Sequence, residues 1–190
     1  MLAVVLSLPV AVWAVRVGSI RARVTQGMAY AGYALPGLVI GLALVFFTLR
    51  VIPVLYQTVT ILIAAYVVRF LPEAISASRA SLAALAPSFE EAAKALGATP
   101  WRVFRTVTLP LIRPGLLAGG GLVFLTTMKE LPATLILRPT GFETLATVIW
   151  SSASEGIYSQ AALPALSLLL VTFLPVYLLI IKPGLGERKP

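Results

Sequence analysis

An all-α, polytopic membrane helical bundle is the fold class this sequence predicts, and three observations predict it. Hydrophobic residues make up 59% of the 190 positions, charged residues only 12%, and mean hydropathy is +0.96, well beyond the apolar share of a soluble domain. The apolar residues gather into five runs, at 2–15, 33–49, 54–71, 115–137 and 161–181, most of them near the roughly 20 residues a helical crossing requires. The basic residues divide unequally between the connections. Arg16, Arg21, Arg23, Arg69, Arg79, Lys94, Arg102, Arg105, Arg113, Lys182, Arg188 and Lys189 fall on one side, Arg50 and Arg138 on the other. Such a bias marks the rich side as cytoplasmic. About five crossings then begin outside and end with a cytoplasmic C-terminus.

Each run has its own punctuation. The first, Leu2 to Val15, holds fourteen residues, about 21 Å of helix against a core of roughly 30 Å. A signal peptide carries its charges ahead of the apolar run, whereas Arg16, Arg21 and Arg23 come after it. It is therefore read as a span cut short, with Met1 an internal or misassigned start. The second run opens at Leu35-Pro36-Gly37, where proline is tolerated near a helix start, and Gly37 and Gly41 suit close helix approach. Gly119-Gly120-Gly121 in the fourth run is read as a packing surface in the same way. Beyond it, Trp150 and Tyr158 are read as interfacial anchors. Arg138, Glu143 and Glu155 are charges that an external protein could use for docking.

The connection before the fourth run carries a distinctive stretch, EAAKALGATPWRVFRTVTLP, from Glu91 to Pro110. Ser88 followed by Glu91 has the spacing of a capping box and predicts a helix starting at Phe89. Phe89, Ala93 and Leu96 then share one face, while Glu90 and Lys94 form an i,i+4 pair. Gly97 suits the left-handed residue that ends a helix. Thr99 caps a second helix with Pro100 at its first position, and Trp101 to Leu109 continue it. Two short helices meeting at a glycine elbow are predicted over 88–110, within one transmembrane domain spanning 1–190.

Composition also excludes functions. The chain has no cysteine, histidine or aspartate, which removes the usual metal ligands, the His-dependent triads and most acid/base pairs. No G-x-x-x-x-G-K-[ST] run occurs, so there is no P-loop for nucleotide. The net charge of +8 is dispersed between apolar spans, unlike the basic face of a nucleic-acid binder. Neither an enzyme nor a cofactor site is expected; the partner is the lipid bilayer.

The run Glu91-Ala92-Ala93, three residues, Gly97, nine residues, Val107, one residue, Leu109-Pro110 resembles the EAA signature of permease subunits of binding-protein-dependent ABC importers. Val107 in place of isoleucine is the only departure. The resemblance implies a type-1 transmembrane domain of which 88–110 is the cytoplasmic coupling segment, seated in a groove of a dimeric ATPase that binds ATP and magnesium. It further implies an inner-membrane location, a second permease half (fused, homodimeric or heteromeric) and an extracytoplasmic solute-binding protein. A second stretch, MKELPATLILRPTGFETLA from Met128 to Ala146, resembles the ferric-iron branch of these permeases. Likeness extends over nearly the whole chain and is that of the C-terminal half of longer permeases. Polyamine, thiamine and sulfate permeases share the architecture and remain alternatives.

Lys129 and Glu130 are the charged neighbours inside the fourth run. Burying either alone is expensive, so each must meet a partner, water or a polar path. Two readings stand side by side. In one, both pair with groups on neighbouring helices; in the other, Glu130 faces the translocation path and favours a cationic solute while Lys129 reaches the outer interface. A proton-coupled secondary transporter using Glu130 would explain the intramembrane acid but leaves the 88–110 segment without a purpose.

Overall fold

The computed structural model describes residues 1–17 and 19–177. Lys182, Arg188, Lys189 and the end of the fifth run lie outside them. Helix α1 (Leu2–Val12) runs into a π-helical turn, Trp13–Val17, and α2 (Ile20–Ala34) follows. A bend of 104° at Leu35-Pro36 separates α2 from α3 (Gly37–Val51). After a 3-10 turn, Pro53–Leu55, comes the 26-residue α4 (Val59–Ala84). Helix α5 (Pro87–Ala95) and α6 (Pro100–Val103) come next, and α6 continues through a second π-helical turn, Phe104–Thr108, into α7 (Leu109–Met128). Short α8 (Pro132–Leu137), α9 (Leu145–Ser154) and α10 (Tyr158–Val176) complete the described chain.

Among the described residues, three helices are long and apolar enough to cross a membrane: α4, the continuous Pro100–Met128 helix and α10. The bent α2–α3 pair would be a fourth, and Leu2–Val17 stays short, as its sequence predicts. Run boundaries also differ from expectation. The third was expected at 54–71, but Pro53 starts a 3-10 turn and Thr58 caps α4, its Oγ1 accepting from Ile61 N at 3.5 Å. Helix α4 then continues to Ala84, and its far half packs into the bundle through the buried Ala74, Ile75, Ser78 and Leu82. Pro72 lies inside it and leaves the Val68 carbonyl without its helical donor. Gly32 of α2 lies against that oxygen, so close that a Cβ there would sit 2.6 Å away.

Helix α4 is the axis of the bundle. It supplies Phe70 and Ala74 to a cluster with Ala3, Val4 and Val123, Ile61, Leu62 and Ala65 to one with Ile40 and Leu137, and Leu82 to one with Ala11, Leu85 and Ile112. Lipid is as apolar as leucine, so association rests on close packing and polar contacts, not on burial from water. Both are present. Ser7 of α1 and Ser78 of α4 share a buried 2.7 Å hydrogen bond. Gly115 and Gly119 of α7 face Ser81 and Ala77 of α4 with no room for a side chain, the packing role read for the fourth run's glycines. Gly41 of α3 lies against Ala133 and Ile136 of α8, where a Cβ would still find ordinary van der Waals contact.

Candidate coupling segment and intramembrane polar cluster

Helix α5 starts two residues earlier than the capping-box spacing predicts. Ala86 precedes it and Pro87 occupies its first turn, with no side-chain cap. Proline fixes φ and has no N–H to satisfy there, so Ser88 is already helical and exposed. The elbow forms as expected. Gly97 has φ +81°, its N–H donates to Lys94 O at 2.9 Å, and Ala98 N donates to Ala93 O at 3.1 Å. These two bonds are those of a Schellman motif. Thr99 caps the next helix, its Oγ1 accepting from Arg102 N at 3.4 Å. That helix is not short, however; it is the first turn of the 29-residue Pro100–Met128 helix.

The predicted site residues sit along this edge. Glu91 and Ala92 are exposed and Ala93 half-buried; Val107 and Leu109 are half-buried and Pro110 exposed. Phe89, Leu96 and Trp101 are also exposed, Leu96 to 89%. Large apolar side chains presented together on a polar connection are what an interaction surface offers. The expected Glu90–Lys94 pair is replaced. Glu90 pairs instead with Arg16, Oε2 lying 3.1 Å from Nε, and accepts from Thr108 Oγ1 at 2.8 Å. A side chain from the end of α1, distant in sequence, outcompetes the i,i+4 neighbour, and no local pattern signals it.

The second cluster lies where two helix breaks meet. The fourth run is not one helix: α7 ends at Met128, and Pro132 starts α8, because proline removes a helical donor and restricts the residue before it. Lys129 and Glu130 therefore occupy a kink between two helices. Glu130 is 6% exposed and pairs with Arg69 of α4, Oε2 to Nε 2.7 Å. Its Oε1 accepts from Ala133 N at 3.2 Å, satisfying an orphan donor at the start of α8. Arg69 also donates to Leu35 O at 3.1 Å, at the α2–α3 bend. Gly37, just beyond that bend, lies so close to Glu130 Oε1 that a Cβ would collide with it. One arginine thus joins both breaks, and glycine is needed at 37 to let them meet. Lys129 is exposed and lines a cavity of about 360 Å³ with Tyr33, Arg69, Glu73, Thr126 and Glu130. Sequence reading singled out Glu130 and missed Glu73; it counted Arg69 with the basic residues of the cytoplasmic side, whereas Arg69 lies well inside α4 and is paired with Glu130.

In the connection between α8 and α9, Glu143 pairs with Arg138 and accepts from Thr147 Oγ1 at 2.7 Å. The Thr147 hydrogen bond, helped by Arg138, holds its carboxyl below the usual range. Trp150 and Tyr158 are exposed.

Over residues 3–183 the chain matches the family described as the binding-protein-dependent transport system inner membrane component. The chain belongs to that family. It is 41% identical over 179 residues to the Fe(3+)-transport system permease protein FbpB 2 of Haemophilus influenzae, covering 94% of this chain and 35% of that protein. Against the putrescine transport system permease protein PotI of Escherichia coli, identity is 39% over 70 residues, 37% of this chain and 25% of PotI. The chain therefore spans about a third or less of the length of these curated relatives. Among solved structures, the inward-facing MetNI methionine ABC transporter superposes with a TM-score of 0.72 at 19% identity, over 92% of this chain and 83% of that one. That likeness shows the fold, an ABC permease bundle.

Proposed function

We propose that this family member contributes one half of the translocation path of an ATP-driven importer, docks its ATPase through 88–110 on the cytoplasmic side, and passes ferric iron delivered by an external binding protein. The observation that carries the docking reading is the exposed apolar surface of Phe89, Leu96 and Trp101 beside the exposed Glu91 and Ala92, presented by a glycine elbow. ATP and magnesium would reside on the ATPase. The distribution of basic residues supports the orientation. Iron is favoured over other solutes by identity extending over 94% of the chain with a relative named for Fe(3+) transport, against 37% with the putrescine permease. A proton-carrying role for Glu130 is disfavoured, since its carboxylate is committed to Arg69 and Ala133 N. For the same reason the Glu130–Arg69 pair carries no net charge with which to attract a cation.

The test is uptake into proteoliposomes by the full permease with its ATPase and binding protein. Radiolabelled ferric iron should accumulate only with internal ATP. Uptake of putrescine but not iron would overturn the solute assignment, and ATP-independent uptake would overturn the coupling.

A further inference from the structure

We propose that Glu90, the residue before the Glu91-Ala92-Ala93 run, is the positioning residue that carries displacement of the coupling segment into the bundle. The proposal rests on the coupling reading above and deepens it. Helix α5 buries none of its residues, so apolar packing does not fix it to the membrane helices. Glu90 does. Although Phe89 and Glu91 on either side are exposed, the Glu90 side chain is 12% exposed. Oε2 pairs with Arg16 Nε at 3.1 Å, and Oε1 accepts from Arg16 Nη2 at 3.3 Å and Thr108 Oγ1 at 2.8 Å. The hydrogen bond from Nη2 is charge-assisted, and the ion-pair contact at Nε beside it holds the carboxylate close to the arginine. Arg16 Nη2 also lies 3.4 Å from Leu85 O, the carbonyl just past the end of α4. One carboxylate therefore gathers α5, the end of α1, the end of α4 and the start of α7.

Both of its partners come from π-helical turns, Arg16 in Trp13–Val17 and Thr108 in Phe104–Thr108. Such turns insert one residue into a helix and recur at functional sites. Removing the extra residue would rotate the rest of the helix by about 100°, turning the side chains away from Glu90. Two separate helices pay the cost of a wide turn to aim at the same carboxylate. Beside the junction is a cavity of about 410 Å³ lined by residues that include Arg16, Glu90, Glu91, Lys94 and Thr108.

The experiment uses the full permease purified with its ATPase. The chain has no cysteine, so spin labels placed at Ser88 of α5 and Val5 of α1, both exposed, report motion between the two elements. In the parent, trapping with ATP and vanadate should leave the 88–5 distance unchanged, because both move together. In Glu90→Gln, which keeps the bond to Thr108 and loses the charge, the distance should change by about 1–2 Å, the scale of helix shifts in switching proteins. The exchange Glu90→Arg with Arg16→Glu should restore the parent behaviour, which a merely disturbed fold would not. A Glu90→Gln distance that matches the parent, or an exchange that rescues nothing, overturns the proposal. Loss of ATPase from Glu90→Gln alone would make Glu90 a docking residue and also overturn it. If the parent retains no ATPase, the coupling reading itself falls.

Discussion

Gly97 offers a substitution whose cost has a single source. At φ +81° it is left-handed, and a Cβ built there meets nothing within 4 Å, so Gly97→Ala adds strain without a clash. Placing an L-residue in that region costs about 1–2 kcal/mol, a factor of about 5 to 30 in the population of the elbow. Asparagine tolerates the same conformation better, so Gly97→Asn should recover most of the loss. Gly156, with φ +76° and equally open surroundings, lies between α9 and α10, away from 88–110 in the sequence, and serves as the control. The assay is binding of purified ATPase to the permease in nanodiscs. Affinity should fall about 5- to 30-fold for Gly97→Ala, less for Gly97→Asn, and not at all for Gly156→Ala. Parent-like affinity in Gly97→Ala, or an equal loss in Gly156→Ala, would refute the reasoning that the elbow presents the docking surface.

Other sites give further expected outcomes. Arg69→Met or Glu130→Leu alone leaves its partner unpaired, costing somewhat less than the about 3–5 kcal/mol of a fully buried pair because Arg69 is 28% exposed. The double substitution should be more stable than either single one by thermal unfolding in detergent; a double mutant as unstable as the summed singles would show that the two groups do not interact. For orientation, cysteine at Ser88 should react only with membrane-permeant reagents in intact cells. The outer reporter belongs at exposed Ser154, since Ser152 is only 8% exposed; reversed labelling would invert the topology. Glu143 has a depressed pKa, so its contribution is present above the unfolded value of about 4.5 and is lost as pH falls through the lower folded value. Thr147→Val should move that loss to higher pH, read by amide exchange at the start of α9; an unshifted midpoint would remove Thr147 as its cause.

What the sequence made legible was local. The Gly97 elbow, the Thr99 cap and the short first run each depend on residues within a few positions of one another, and the structure has all three. Helix ends were less legible where proline could be read two ways. Pro132 is compatible with a kinked continuous helix or with a break, and the pairing of Glu130 with Arg69 over 61 positions favours the break. Likewise, Glu90 has a plausible partner four residues away and a real one 74 positions away. Long-range polar pairing in a low-dielectric interior outweighs the few tenths of a kcal/mol of a helical surface pair, and a linear pattern does not encode it.

The two polar junctions stand at opposite ends of one element. The Pro100–Met128 helix holds Thr108, bonded to Glu90, near its start, and ends at the kink where Glu130 meets Arg69. Its 29 residues span about 43 Å at the helical rise, so a tilt of about 5° about one end moves the other by about 4 Å. On the coupling reading, a modest displacement at 88–110 is therefore enough to open or close contacts at the kink, provided the helix does not bend in between. Gly115 and Gly119 are pressed against Ser81 and Ala77, so on the coupling reading α4 is the surface along which that helix would slide. Bulkier residues there would resist the motion even when the docking surface and both junctions were intact.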